Sequence, residues 1–219
     1  SARESSHGGN IEVFATPAED VQVMRASYNT HYEVTEDYRR EPWLIGFDGE
    51  DGSQGYVVDI FRVKGGSRHE YTLQGAANYD SEIETEMSTE FYNDYLLPPD
   101  ENIVVIEASD WGEENRAYNP VTSEEYYGAY VAMRNVQSAP LENGKYSLVI
   151  KTKDDDGNPK AALSITGFVE GGNNTLFIGE VPSLRYTRLN GRLKESNGTA
   201  DMYYMPKFVL RREGENGNL

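Results

Sequence analysis

Short runs rich in Val, Ile, Tyr and Thr recur along most of the chain, each closed by Gly, Asn, Asp or Pro. Branched and aromatic side chains suit a pleated, half-buried surface, and the closing residues suit turns, so the pattern predicts strands. Tyr56-Val57-Val58-Asp59-Ile60-Phe61-Arg62-Val63 is one such run. It ends at Gly65-Gly66, and His69-Glu70-Tyr71-Thr72-Leu73 follows at hairpin distance. Ile103-Val104-Val105-Ile106 has no polar alternation and reads as a buried strand. The series continues with Gly128–Met133, Tyr146–Ile150, Ala162–Thr166, Leu176–Ile178 and Phe208–Leu210. Only between Ser81 and Leu97 do apolar residues (Ile83, Met87, Phe91, Tyr95) recur at four-residue steps, which suits a helix or a long loop. The whole predicts an all-β chain, a large antiparallel β-sandwich with few or no helices.

Composition then narrows function. With 37 Asp and Glu against 20 Lys and Arg the net charge is −17, the wrong sign for a nucleic-acid partner, which needs clustered cations. No apolar run approaches the roughly 18–20 residues of a membrane helix, so no membrane partner is expected. The absence of Cys removes disulfides, thiolate metal sites and a Cys nucleophile. His7, His31 and His69 are not spaced for a zinc site. Asp154-Asp155-Asp156-Gly157-Asn158-Pro159 resembles the start of a calcium loop, but Leu163–Thr166 stand where the bidentate Glu belongs. Neither a metal nor any other cofactor is therefore expected. No nucleophile elbow, phosphate loop or complete catalytic set is legible either.

Nothing divides the sequence, so residues 1–219 read as a single domain, with 1–10 polar and disordered. Asn216-Gly217 is a strong hairpin turn with only Asn218-Leu219 behind it, so the expectation is a domain excised from a longer chain. The densest polar cluster lies between Arg39 and Gln74. In the Tyr56–Val63 strand Asp59 and Phe61 share one face, and Ile60 and Arg62 the other. A hairpin return would bring His69 and Tyr71 beside Arg62, with Arg39 or Arg40 nearby. Arg forks and tyrosine faces suit anionic sugars, although Arg62 could instead pair with Asp59 or a neighbouring carboxylate and serve structure alone, holding the hairpin together. Trp43, Trp111, Tyr126 and Tyr127 could stack on sugar rings or simply pack.

Tyr38-Arg39-Arg40, an apolar run through Phe47, the Asp59-Ile60-Phe61-Arg62 strand with Gly65-Gly66, and His69-Glu70-Tyr71 together resemble the C-terminal β-sandwich region of heparinase II/III-like polysaccharide lyases. Gly179–Arg185 looks like that family's Gly-x-x-Pro turn, and Met205–Arg212 like its late strand. Gln74 stands where the family often carries a His. The resemblance implies a part of a lyase that cleaves uronate-containing polysaccharide by β-elimination: a base takes the C5 proton, an acid protonates the leaving oxygen, and polar groups hold the carboxylate. In the family most catalytic residues come from a helical toroid, here expected upstream as the partner catalytic domain. The implied enzyme is periplasmic or secreted and bacterial, and this chain alone is expected to be inactive. Candidate substrate-binding residues are Arg39, Arg62, His69, Tyr71 and Gln74. None is assigned a catalytic role. The alternative is a non-catalytic carbohydrate-binding, structural or interaction sandwich.

Overall fold

The computed structural model describes residues 8–29, 31–47, 54–98, 104–105, 121–122, 133–183 and 204–214. Every regular element among them is a strand, and the sheets are antiparallel, so the all-β expectation holds. Contacts group the chain into two compact units, Ser1–His69 with Glu213–Leu219, and Glu70–Arg212. The sequence, read as one domain, offers no linker at this division, because β5 (Arg68–Gln74) and β14 (Tyr204–Glu213) run across it.

The first unit is built on a four-stranded meander in sequential order: β1 (Asn10–Ala18), β2 (Val21–Ser27), β3 (Asp37–Phe47) and β4 (Gln54–Lys64). The strand therefore begins at Asn10, at the end of the stretch expected to be disordered; residues 1–7 lie outside the described ones. Beyond β2, Tyr28, His31, Tyr32 and Tyr38 gather their rings, with His31 4.4 Å from Tyr32 and Tyr38 5.5 Å from Phe61.

The second unit is the sandwich. One sheet has five strands in the order β5-β14-β13-β10-β7, with β7 Glu90–Tyr95, β10 Arg134–Pro140 and β13 Asn173–Pro182. The other has three, β12-β11-β6, with β6 Ser81–Glu84, β11 Lys145–Lys153 and β12 Pro159–Phe168. Tyr146, Leu148 and Ile150 alternate along β11 and meet Ala139, Leu176, Phe208 and Leu210 of the larger sheet in one core. The opposite face of that larger sheet is also buried, through Val136, Phe177, Val181, Met205 and Val209. That is why Phe208-Val209-Leu210 reads as an unbroken apolar run: β14 is an interior strand of the sheet and is covered on both sides. A short pair, β8 (Val104–Val105) with β9 (Val121–Thr122), completes the described elements, and β8 falls inside the run expected at 103–106. Gly128–Ala132 lies outside the described residues.

Three expectations are corrected. Ser81–Leu97 is neither helix nor long loop but two strands, β6 and β7. Glu82 and Glu84 alternate along β6 to meet Lys153 and Lys151 of β11, and Thr85 turns the chain by donating to the Ser147 carbonyl and accepting from the Met87 amide. Gly179–Pro182 is the end of β13, not a turn. Finally, β4 and β5 form no hairpin: β4 pairs with β3, and β5 lies beside β14. Gly65 and Gly66 carry φ of 96° and 85°, a left-handed pair that redirects the chain where a side chain would be strained. Tyr71 and Leu73 then pack on the core containing Phe208.

Candidate functional site

The β3–β4 ladder runs without a register shift from Asp37 opposite Lys64 to Phe47 opposite Gln54. Partners in an antiparallel pair share a face, and alternate residues keep it. One face of the hairpin therefore carries Asp37, Arg39, Glu41, Trp43, Ile45 and Phe47 of β3 against Lys64, Arg62, Ile60, Val58, Tyr56 and Gln54 of β4. Its charged end puts Arg39 directly opposite Arg62. Like charges so placed disfavour the pair by roughly 0.2–1 kcal/mol.

Arg62 has no ion pair among the described residues, although the Glu41 carboxylate, diagonal to it on the same face, is within electrostatic reach. Asp59 points to the other face, where the Arg40 guanidinium holds it with Nε–Oδ1 and Nη2–Oδ2 separations of 2.9 and 2.6 Å. Arg39 approaches Asp37, Nε to Oδ2 3.1 Å, and Lys64 pairs with Glu36. Arg62 itself is exposed and forms no ion pair among the described residues. An Arg62–Asp59 pair is thus replaced by Arg40–Asp59, and the neighbouring carboxylate that Arg62 does reach electrostatically is Glu41.

Two residues along the same face, Glu41 is buried. Arg25, its neighbour on β2, donates to Oε2, and Trp43 Nε1 donates to Oε1 at 2.8 Å. The Arg25 hydrogen bond, then that of Trp43, holds the Glu41 carboxyl below its ordinary value against the opposing effect of burial, and Arg62 adds a smaller pull. The carboxylate in turn fixes the Trp43 indole, so that an aromatic edge of known orientation stands two pairs along from the arginines, beyond Glu41 and Ile60. Farther on, Tyr56 and Phe47 leave about half their surface to solvent, 53% and 47%, with ring centroids 6.2 Å apart. The arrangement can bind an anion at one end and offer aromatic surface beyond it. No nucleophile or acid–base pair is aligned on this face.

Of the five candidates read from the sequence, the ladder brings together Arg39 and Arg62. His69 is 2.6 Å from the Gly65 carbonyl through Nε2, which ties its ring to the glycine turn. Tyr71 belongs to the sandwich core, 6.3 Å from the Phe208 ring. Gln74 is exposed at the end of β5, where the next residue, Gly75, donates its amide to the Pro206 carbonyl. The clustering of Arg62, His69 and Tyr71 required a β4–β5 hairpin, which does not form. Trp111, Tyr126 and Tyr127 lie outside the described residues.

The calcium-like loop is a tight turn between β11 and β12. The Asp154 carboxylate accepts from the amides of Asp156 and Asn158 at 3.0 and 2.8 Å, and the Asn158 bond is the main cause holding its pKa below the ordinary value. Its oxygens thus serve the turn. Among the described residues no three Asp, Glu or His side chains converge as metal ligands.

Sequence reasoning passed over Arg25, Glu41, Tyr56 and Phe47 as site residues. The sequence offered only a partial signal, with Arg39, Glu41, Trp43 and Phe47 on one side of β3 and Tyr56 near the start of β4, and only the register says which ones meet. No family model matches this chain, and no curated protein matches it.

Proposed function

We propose that the chain is the β-sandwich region of a heparinase II/III-like polysaccharide lyase and that its own part is to hold an anionic, uronate-containing polysaccharide, not to cleave it. The observation that carries this reading is the Arg39–Arg62 pair: two arginines directly opposite each other across the β3–β4 ladder, Arg62 exposed and without an ion pair among the described residues, in a chain of net charge −17. Planar forks grip carboxylate or sulfate in two-point fashion, and a bound anion relieves their mutual repulsion. Binding by one such grip is weak, with Kd on the order of a millimolar. Chemistry on the bound sugar falls to the partner catalytic domain. Polymeric uronates are met outside the cytoplasm, so this reading goes with a periplasmic or secreted protein.

A second role, as an interaction sandwich, is favoured by the other face of the meander. There Ile11 and Phe14 of β1, Leu44 of β3 and Val57 of β4 are all at least half exposed, apolar surface of the kind a neighbouring domain covers. The two roles are compatible, since they use opposite faces of one sheet.

The test is a titration of isotope-labelled protein with a heparin disaccharide and with an alginate disaccharide, followed by NMR. Shifts in the Arg39 and Arg62 amides that vanish in Arg62→Ala, while the melting temperature holds or rises slightly, are the expected result. Absence of shifts with both sugars, or shifts that survive in Arg62→Ala, refutes the grip. Incubation of the chain alone with heparin or alginate should generate no unsaturated-uronate absorbance; its appearance would show catalysis within the chain and sink the division of labour.

A further inference from the structure

The arginine pair occupies only one end of its face, and the remainder of that face is unusual for an exposed sheet surface. Going from Arg39/Arg62, it presents the buried Glu41 opposite Ile60, then Trp43 opposite Val58, Ile45 opposite Tyr56, and Phe47 opposite Gln54. Trp43 is held by its bond to the buried Glu41 carboxylate, so it is pre-oriented. Tyr56 and Phe47 are half exposed beside each other, and Val58 between them and the arginines is 40% exposed. Soluble surfaces seldom leave so many large side chains in one contiguous row without use. Arg62 and Tyr56 are six residues apart on β4, about 20 Å at the rise of an extended strand. A single sugar acid gripped at Arg62 cannot reach Tyr56; a chain of several sugars lying along β4 can.

We propose that Trp43, Tyr56 and Phe47 form a stacking shelf that extends the Arg39–Arg62 grip, so that the ligand is a polymeric anionic glycan laid along the β3–β4 hairpin. The proposal rests on the reading of Arg39 and Arg62 as an anion grip. Charge complementarity fixes the occupant: the anionic group docks at the arginine end, and the apolar faces of the adjoining sugar rings lie on aromatic side chains, which take up flat apolar surface.

The experiment compares a heparin disaccharide with a heparin hexasaccharide, and the matching alginate pair, by calorimetric or NMR titration of the full chain. Wild type should bind the hexasaccharide of at least one pair about tenfold or more tighter than its disaccharide, and Tyr56→Ala should bring that ratio to within about threefold. The loss should persist in 0.5 M NaCl, where longer-range charge attraction is screened. Phe168→Ala, which removes an even more exposed ring from β12 of the other unit, controls for the generic loss of an aromatic and should leave the ratio as in wild type. Wild-type ratios near one, an unchanged ratio in Tyr56→Ala, or a loss that disappears in salt overturns the shelf while leaving the arginine grip standing. Failure of wild type to bind either disaccharide or either hexasaccharide overturns the grip and the shelf together. Because Tyr56 is half exposed on an edge strand, its truncation leaves the fold intact, which the melting curve verifies.

Discussion

Gly167 should be irreplaceable in a way its ordinary backbone conformation does not suggest. It lies on β12 directly opposite Tyr146 of β11, and the space a Cβ would need is filled by the Tyr146 ring. The ring is itself buried and packs 5.9 Å from Phe208, the largest fully buried side chain. An alanine at 167 must therefore push the tyrosine out of the core. A buried aromatic covers about 200 Å². Losing half of that, at about 25 cal/mol per Å², costs about 2.5 kcal/mol. Replacing glycine stiffens the unfolded chain and returns about 0.5–1 kcal/mol. The net expectation for Gly167→Ala is a destabilisation of about 1.5–2 kcal/mol. With a urea slope of about 2 kcal/mol/M, the unfolding midpoint falls by about 0.8–1 M. The same change made in a Tyr146→Leu background, where the ring is gone, should be neutral or slightly stabilising, so a double-mutant cycle should return a coupling of more than about 1 kcal/mol. A midpoint that is unchanged, or that falls equally in both backgrounds, would refute the account of glycine and tyrosine as one packed unit.

Two further outcomes concern titrating groups. Glu41 is held below its ordinary 4.5 in the folded protein, chiefly by Arg25, so its contribution is present at neutral pH and is lost as pH falls from that value through the lower folded one; Glu41→Gln should flatten this acid limb of the stability curve, read from urea midpoints between roughly pH 5 and 2. Lys207 on β14 has the opposite problem: burial disfavours its ammonium and lowers its pKa, with Glu70 compensating only in part, so Lys207→Met should raise the urea midpoint at pH 7 and lose that advantage as pH rises beyond 10.5, where the wild-type lysine is neutral in both states.

Strand content was legible wherever burial imposed a simple pattern. Tyr146, Leu148 and Ile150 announce β11 by alternation, and Phe208-Val209-Leu210 announces a strand covered on both faces. The misread segments are those whose strand character comes from partners. β1 carries Glu12, Thr16 and Pro17 and is exposed at almost every position, so nothing in it alternates. β3 opens with Asp37-Tyr38-Arg39-Arg40-Glu41, a charged sequence stabilised by pairs formed across the sheet: Arg40 with Asp59, and Glu41 with Arg25. The four-residue recurrence of Ile83, Met87, Phe91 and Tyr95 imitates a helix by accident of two short strands, and Phe91, which a buried helical stripe would cover, is 67% exposed.

The candidate site was legible as a set of residues and illegible as a constellation, and the reason is register. Sequence alone puts Arg62 on the same face of β4 as Ile60, but which residue of β3 stands opposite depends on a pairing that can slide in steps of two without changing faces. A two-residue slide either way would set Arg62 against Asp37 or Glu41, each a neutralising partner. The sheet instead takes the register with Trp43 opposite Val58 and Ile45 opposite Tyr56, and accepts Arg39 against Arg62. If that juxtaposition disfavours folding and is kept for binding, stability and binding must move in opposite directions when it is removed. Arg62→Glu converts a repulsive pair into an attractive one, a swing of about 0.5–2 kcal/mol across the two terms, tempered by the new carboxylate's diagonal neighbour Glu41. The variant should unfold at higher urea than wild type, with the gain shrinking as salt is raised, and should give no uronate-induced NMR shifts at all. A variant less stable than wild type at low salt would mean that Arg62 already has a stabilising role in the fold, and the reasoning from an arginine with no ion pair among the described residues to an anion grip would fail with it.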